Sequence, residues 1–471
     1  MTPAKGVRSP VGTWFGVVVG AGASALLASL LSLVVLAIPL GQLRSPWGTG
    51  DLLSSAVNVE YWRGVAYVVT THAGYPFGMN LNLVSALDIT GNTVAAAIAQ
   101  VAGSPFVGVN LLLALSFPAV AVATYLLLRL VGLTGTAAGN VLAIALSASY
   151  AVIPYHFARG LGHVYLATMV PAVVTVALAV LVGRGDLRDW LRRGSTTARV
   201  LRYVVLAAMM GVCAASGLYA ATFAVLLVGV AALWQLLMAP APLRRALPVF
   251  LVPLGIATIA GCAALPTLLA RSHTIILSEL GARDPAESVT FAGSLLLAFL
   301  PLALLTYGGR LPGLQGVHEH LTGMLADLPG LESTSLGAFG TLVSGAALVV
   351  LVIGSLLALR APRAWSKQLR LIWVLLATTA LAFVPWGLGA LVALTITAQV
   401  RAWNRLLPIL LLLVLIGAAT VLGHLVIARQ PWARLLLGAV VAIIVATALV
   451  ESVLPFRAPY LRSLDRAETL Q

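Results

Sequence analysis

The sequence predicts an all-α, polytopic membrane protein of about eleven transmembrane helices, with further helices lying at the interface in its outer loops. Three observations carry that reading. Of 471 residues, 60% are hydrophobic and 9% are charged, where a soluble domain carries roughly 25% charged residues. Apolar runs long enough to cross a bilayer recur along the chain. The basic residues gather in alternate connections between those runs, as cytoplasmic loops require.

The apolar runs are 14–40, 105–129, 138–154, 164–183, 202–217, 219–238, 249–269, 338–359, 371–387, 406–427 and 435–454. The first follows Lys5 and Arg8 and is longer than a signal-peptide core, so it reads as a retained helix. With the N-terminus inside, the inner segments hold seventeen basic residues against Asp186 and Asp189, and the outer segments hold eleven basic against twelve acidic. Eleven spans then leave the C-terminus outside. The net charge of +14 is thus a topology signal and an anionic-lipid contact, not a nucleic-acid footprint. Cys213 and Cys262 both fall in apolar runs and read as small buried hydrophobes.

The inner connections are short and the outer ones long. The chain is one transmembrane domain with two outer loops, 41–104 and about 270–337, and a short outer tail, 455–471. In the first loop, Asp51 to Thr70 has apolar residues near helical spacing and reads as an interfacial helix. In the second, Phe291 to Tyr307 is apolar but broken by Pro301, and reads as an interfacial or re-entrant segment.

Three polar constellations sit at outer ends of spans. The first loop carries Asp51, Asp88 and the run from Gly74 through Tyr75 to Asn80. A carboxylate there can act as general base toward a hydroxyl or hold a cation. The plainer roles are a helix N-cap for Asp51 and a turn residue for Asp88. The second is Pro154 to His163, with His156, Arg159 and His163 kept near the bilayer surface by a short join. An arginine fork suits phosphate oxygens; its plainer role is a contact with lipid headgroups, with the histidines capping helices. The third is Gln399 to Arg405, where Arg401 and Arg405 have the spacing of one helix face. Trp403 between them suits the interface or a sugar ring, as does Tyr75. Two arginines where positive charge is otherwise disfavoured call for an anionic partner, a lipid headgroup or a lipid-linked phosphate. Ser216-Gly217-Leu218-Tyr219 reads as a tight outer turn whose Tyr219 can line a pocket. No nucleotide fingerprint or zinc spacing is present in the sequence.

With Gly50-Asp51 after the first span, the Gly74–Asn82 and Asp88 stretch, His156 to His163 and Arg401 to Arg405, the layout resembles the bacterial integral-membrane glycosyltransferases of the GT-C superfamily. The resemblance implies an inverting glycosyltransferase on the outer face of the cytoplasmic membrane. The donor it implies is a sugar on a polyprenyl phosphate or diphosphate; the acceptor is a cell-envelope glycan, lipid or protein. An acidic residue of the first outer loop, here Asp51, would be the catalytic base. Arg401 and Arg405, with Arg159, would hold the departing phosphate, and His163 would assist the leaving group. No cofactor beyond the donor is implied, and a divalent metal is compatible with the reading. Two other classes fit the composition: a transporter or flippase of a lipid-linked saccharide, and a non-catalytic membrane scaffold. A transporter places its ionisable residues near the midplane, whereas those here gather at span ends. The family's doubled acidic motif is missing, since Asp51 stands alone with Glu60 nine residues on.

Overall fold

A computed structural model of the chain describes residues 10–36, 42–48, 51–64, 69–70, 79–80, 88–238, 243–272, 284–300, 302, 307–310, 312–326, 340–360, 366–424 and 432–469. The protein is nearly all helical. Among the described residues, the only sheet is one antiparallel pair, β1 (Val69–Thr70) with β2 (Met79–Asn80).

The apolar runs become helices because hydrocarbon leaves backbone groups no partner except one another. Nine helices among the described residues are long and apolar enough to cross a membrane, or ten if one bent pair is a single span. They account for ten of the eleven expected runs. The remaining run, 249–269, lies on α12 (Leu243–Ser272), whose described apolar part, Val249–Leu265, is shorter. The bent pair is α17 (Ser366–Phe383) and α18 (Leu388–Thr395), which turn 61° from one another. Trp386 takes a positive φ at that corner and stands exposed.

The remaining elements follow in order: α1 (Pro10–Val35), α2 (Asp51–Gly64), α3 (Ile89–Ala102), α4 (Pro105–Leu130), α5 (Ala137–Ala151), α6 (Pro154–Gly162), α7 (Val164–Ala167), α8 (Val170–Gly183), α9 (Leu187–Arg192), α10 (Thr196–Ala215) and α11 (Leu218–Met238). After α12 come α13 (Glu287–Thr290), α14 (Leu295–Phe299), α15 (Gln315–Ala326) and α16 (Leu342–Arg360). A 3-10 turn, Trp403–Leu406, leads into α19 (Leu407–Leu422). The chain then runs through α20 (Trp432–Thr447), a π-helical turn (Ala448–Val453) and α21 (Leu454–Thr469). The stretch expected as a polar tail is therefore largely helical.

The core centres on α19, buried on nearly every side, with α8, α11, α16 and α17 around it. A second cluster joins α1, α2, α3, α4 and the π-helical turn. Contacts between connecting segments sort into two ends. At one, the Arg184 guanidinium donates to the Leu130 carbonyl and to Gln368 Oε1, and Gln368 donates to Thr420. At the other, Asp88 pairs with Ser216, Ala402 N–H donates to Tyr219, Asn404 N–H to the Phe291 carbonyl and Leu342 N–H to Glu451.

The 291–300 region is broken, as Pro301 and its apolar flanks suggest. It lies against other chain segments: Gly293 N–H donates to the Phe383 carbonyl and Gly340 N–H to Leu297. These bonds satisfy backbone that a helix would otherwise satisfy internally.

Candidate functional site

Helix α2 buries Leu52, Ser55, Ala56 and Val59, the i, i+3, i+4, i+7 stripe of an amphipathic helix. Helix α3, in the expected first outer loop, buries Gly91, Asn92, Ala95, Ala96 and Ala99. Its small residues permit close packing: a Cβ on Gly108 of α4 would lie 2.4 Å from the Ala95 carbonyl oxygen. Two contacts set the register of α2 on α3. Arg63 Nε donates to Gln100 Oε1 at 3.4 Å. The Tyr165 hydroxyl of α7 lies 3.4 Å from the Ser55 carbonyl and donates to Asn92 Oδ1 at 2.6 Å. Both pairs are 37 positions apart, so the helices run parallel. Asp51 and Asp88 share that separation. One turn back from Ser55, or about 6 Å, the register sets a carboxylate-bearing residue at each of two adjacent helix N-termini. Helix N-termini favour negative charge. The Asp51 side chain and all of Tyr75 lie outside the described residues.

Asp88 caps α3: its Oδ1 accepts the Gly91 N–H at 2.7 Å. Burial pushes its carboxyl up to about 7, offset only in part by that N–H. A carboxylate has room for further donors beyond one capping N–H. The Asp88 backbone also pairs, antiparallel, with Ser216. The next residue, Gly217, turns at φ 96°, a left-handed conformation that suits glycine. The turn delivers Tyr219 to the first turn of α11.

Tyr219 leads to the arginines. Its hydroxyl accepts the Ala402 N–H at 3.3 Å, and its ring lies beneath the Arg405 guanidinium at 4.1 Å. Arg401 reaches Tyr219 as well, but its ion-pair partner is Glu287. Its Nη1 meets Glu287 Oε2 at 2.6 Å, and its guanidinium lies 4.8 Å from the Phe291 ring centre. Burial pulls the Arg401 proton affinity down, but the bond and charge of Glu287, joined by Tyr219, outweigh it and raise it. The shared helix face expected for Arg401 and Arg405 does not form, because Arg401 precedes the 3-10 turn. Trp403 also corrects its expectation. It is 1% exposed and packs against Phe223 and Gly389, with no ring face open to the interface or to a sugar.

The stretch expected as a short outer join is helix α6, which carries the third span on to Gly160 and packs inside the bundle. His156 is fully buried, stacked on Phe117 at 3.8 Å. Its Nδ1 faces the Ala151 carbonyl and its Nε2 the Ser116 hydroxyl, each at 2.6 Å. Protein atoms thus engage both ring nitrogens, an environment that fits a packed side chain rather than a ligand-binding one. Arg159 is 1% exposed and lies 5.5 Å from the Tyr155 ring centre. His163 marks the break between α6 and α7, half-buried, with its N–H on the Arg159 carbonyl.

The structure therefore pairs the Asp88 backbone with Ser216, three residues before Tyr219, seats Tyr219 against the 401–405 turn, and sets Asp51 level with Asp88. Glu287 was missed by the sequence reading, and nothing in its local sequence marks it. Glu451 was legible as a carboxylate inside an apolar run, where ionisable residues are expensive. It is buried in the π-helical turn and caps α16 through the Leu342 N–H at 2.7 Å.

No family model and no curated protein matches the chain. Among solved structures it is similar to the Archaeoglobus fulgidus oligosaccharyltransferase, solved with a tethered acceptor peptide containing the NVT sequon. The identity is 13% and the TM-score 0.46, over 93% of this chain and 55% of that one. The chain thus spans about half the length of that neighbour. A likeness this distant carries no functional weight, which rests instead on the residues above.

Proposed function

We propose that the chain is an inverting membrane glycosyltransferase of GT-C type. It moves a sugar from a polyprenyl-phosphate-linked donor to a cell-envelope glycan, lipid or protein acceptor on the outer face of the cytoplasmic membrane. The observation that supports this best is the path from Asp88 through its pairing with Ser216 to Tyr219 and Arg405. It links a proton acceptor to a cationic turn at one end of the helical bundle.

In the reaction, the acceptor hydroxyl oxygen attacks the anomeric carbon. The bond from that carbon to the phosphate oxygen breaks, and the hydroxyl proton passes to a carboxylate. A general base works best with a proton affinity near the working pH, which favours Asp88, at about 7, as the acceptor of that proton. Asp51 is its level partner and the alternative base. The arginine turn offsets the charge that gathers on the departing phosphate.

The test uses the purified full chain with polyprenyl-phosphate sugars extracted from cell membranes. Asp88→Asn is expected to lower transfer by about 100-fold or more. Unchanged transfer in Asp88→Asn together with loss in Asp51→Asn moves the base to Asp51. Unchanged transfer in both removes the carboxylate mechanism. Movement of lipid-linked saccharide across vesicles by the wild-type chain, without transfer, replaces the enzyme with a transporter.

A further inference from the structure

The two arginines of the 399–405 segment differ in what they already hold. Arg401 is spoken for: its Nη1 lies 2.6 Å from Glu287 Oε2, both side chains about 30% exposed. Any anion binding there displaces Glu287 or adds a second negative charge beside it. The same pair fastens α13 to the turn, next to the Asn404 N–H bond to the Phe291 carbonyl. Arg405 has no carboxylate partner among the described residues, and its buried Nε has no hydrogen-bond partner. The Asn404 amide beside it is 1% exposed, with neither of its polar atoms bonded among the described residues. Buried polar atoms are rarely left so unless something completes them.

We infer that the two arginines divide the work. Arg405, seated on the Tyr219 ring, takes the phosphate of the ligand, while Arg401 is a strut holding the segment from Glu287 onward. This rests on the glycosyltransferase reading for the identity of the phosphate, but not for the division itself. Tyr219 is the positioning residue. A guanidinium over an aromatic face is held by cation–π attraction, which leaves the edge that carries its N–H donors free for a phosphate. Tyr219 is fixed in turn by the Ala402 N–H on its hydroxyl, by a bond from the Arg401 strut and by Phe223, whose ring centre is 6.0 Å away. The ring, more than the hydroxyl, is therefore what the arginine needs.

The experiment measures binding to the purified full chain in phosphatidylcholine nanodiscs. The probes are a polyprenyl monophosphate, inorganic phosphate and phosphatidylglycerol, with size exclusion as the check on folding. Arg405→Gln and Tyr219→Leu are each expected to weaken polyprenyl-phosphate binding by about tenfold, with Tyr219→Phe restoring it to within about threefold. Glu287→Gln is expected to leave affinity within about twofold, because Arg401 is not the binding group. The division is overturned if Glu287→Gln tightens binding, or if folded Arg401→Gln loses as much as Arg405→Gln. It is overturned for Tyr219 if Leu and Phe behave alike. If the chain binds only inorganic phosphate or phosphatidylglycerol, through Arg405, the division stands and the lipid-carrier reading falls. If it binds none of the three, both fall.

Discussion

Two basic segments of similar composition meet opposite fates. Pro154–His163 and Gln399–Arg405 each place arginine beside an aromatic residue at the end of a span. In the first, Arg159 and His156 are buried; in the second, Arg401 and Arg405 keep part of their surface. The difference comes from the neighbours. Helix α6 continues the line of α5, so that Ala137–Gly160 passes as one span. It is seated closely on α4: a Cβ at Gly160 would lie 2.5 Å from Leu113 Cδ1. The 401–405 segment instead meets short connections, the Ser216–Tyr219 turn and α13. An arginine at a span end is thus buried or partly exposed according to what packs over it.

The comparison breaks most visibly at Arg159. Arg159→Ala is expected to destabilise the protein by about 3–5 kcal/mol, since it removes a long buried side chain and strands its surroundings. Arg405→Ala is expected to cost under about 1 kcal/mol, its partner being an aromatic face at a partly exposed site. Thermal unfolding followed by size exclusion measures both. A stable Arg159→Ala protein that has lost transfer would return Arg159 to the site.

His156 sharpens the same contrast by a smaller amount. His156→Leu removes the bonds to Ser116 and the Ala151 carbonyl and leaves those groups buried, a loss of about 2 kcal/mol. Transfer per folded molecule is expected to stay within about twofold of wild type. A large loss of transfer without loss of stability would mean that His156 reaches the ligand.

The class of fold was legible because hydropathy and charge placement act over whole spans and need no partner. Helix α3 was not, because Ala and Gly positions such as Ala95, Ala99 and Gly91 carry little amphipathic signal; their burial depends on α2 and α4. Asp88 reads in the sequence as a turn residue, and in the structure it caps α3. What raises its proton affinity is packing, which no local pattern encodes. Trp403 misled for the complementary reason. A tryptophan near a span end ordinarily marks the interface, but here the α17–α18 bend brings Gly389 under its ring. The pairing of Glu287 with Arg401 spans 114 positions and only the fold could supply it.

The smallest expected effect is also the one that separates a strained site from a packed turn. The Asp88 carboxyl is raised from 3.8 to about 7 in the folded chain. Between about pH 4 and pH 7 the folded state therefore binds more protons than the unfolded state, and stability falls as pH rises through that window. Asparagine caps a helix as well as aspartate does and has no charge to bury. Asp88→Asn is accordingly expected to stabilise the protein at pH 8, where the wild type must bury a charge, and to leave stability near pH 4 unchanged. Transfer by the wild type should move the other way, rising toward a plateau above about pH 7 as the base loses its proton. Melting temperatures of both proteins from pH 4 to 8, set beside the pH profile of transfer, test this. A stability gain that comes with lost transfer is what a strained functional carboxylate produces. A loss of stability at pH 8 would make Asp88 a cap and nothing more, and leave Asp51 as the base.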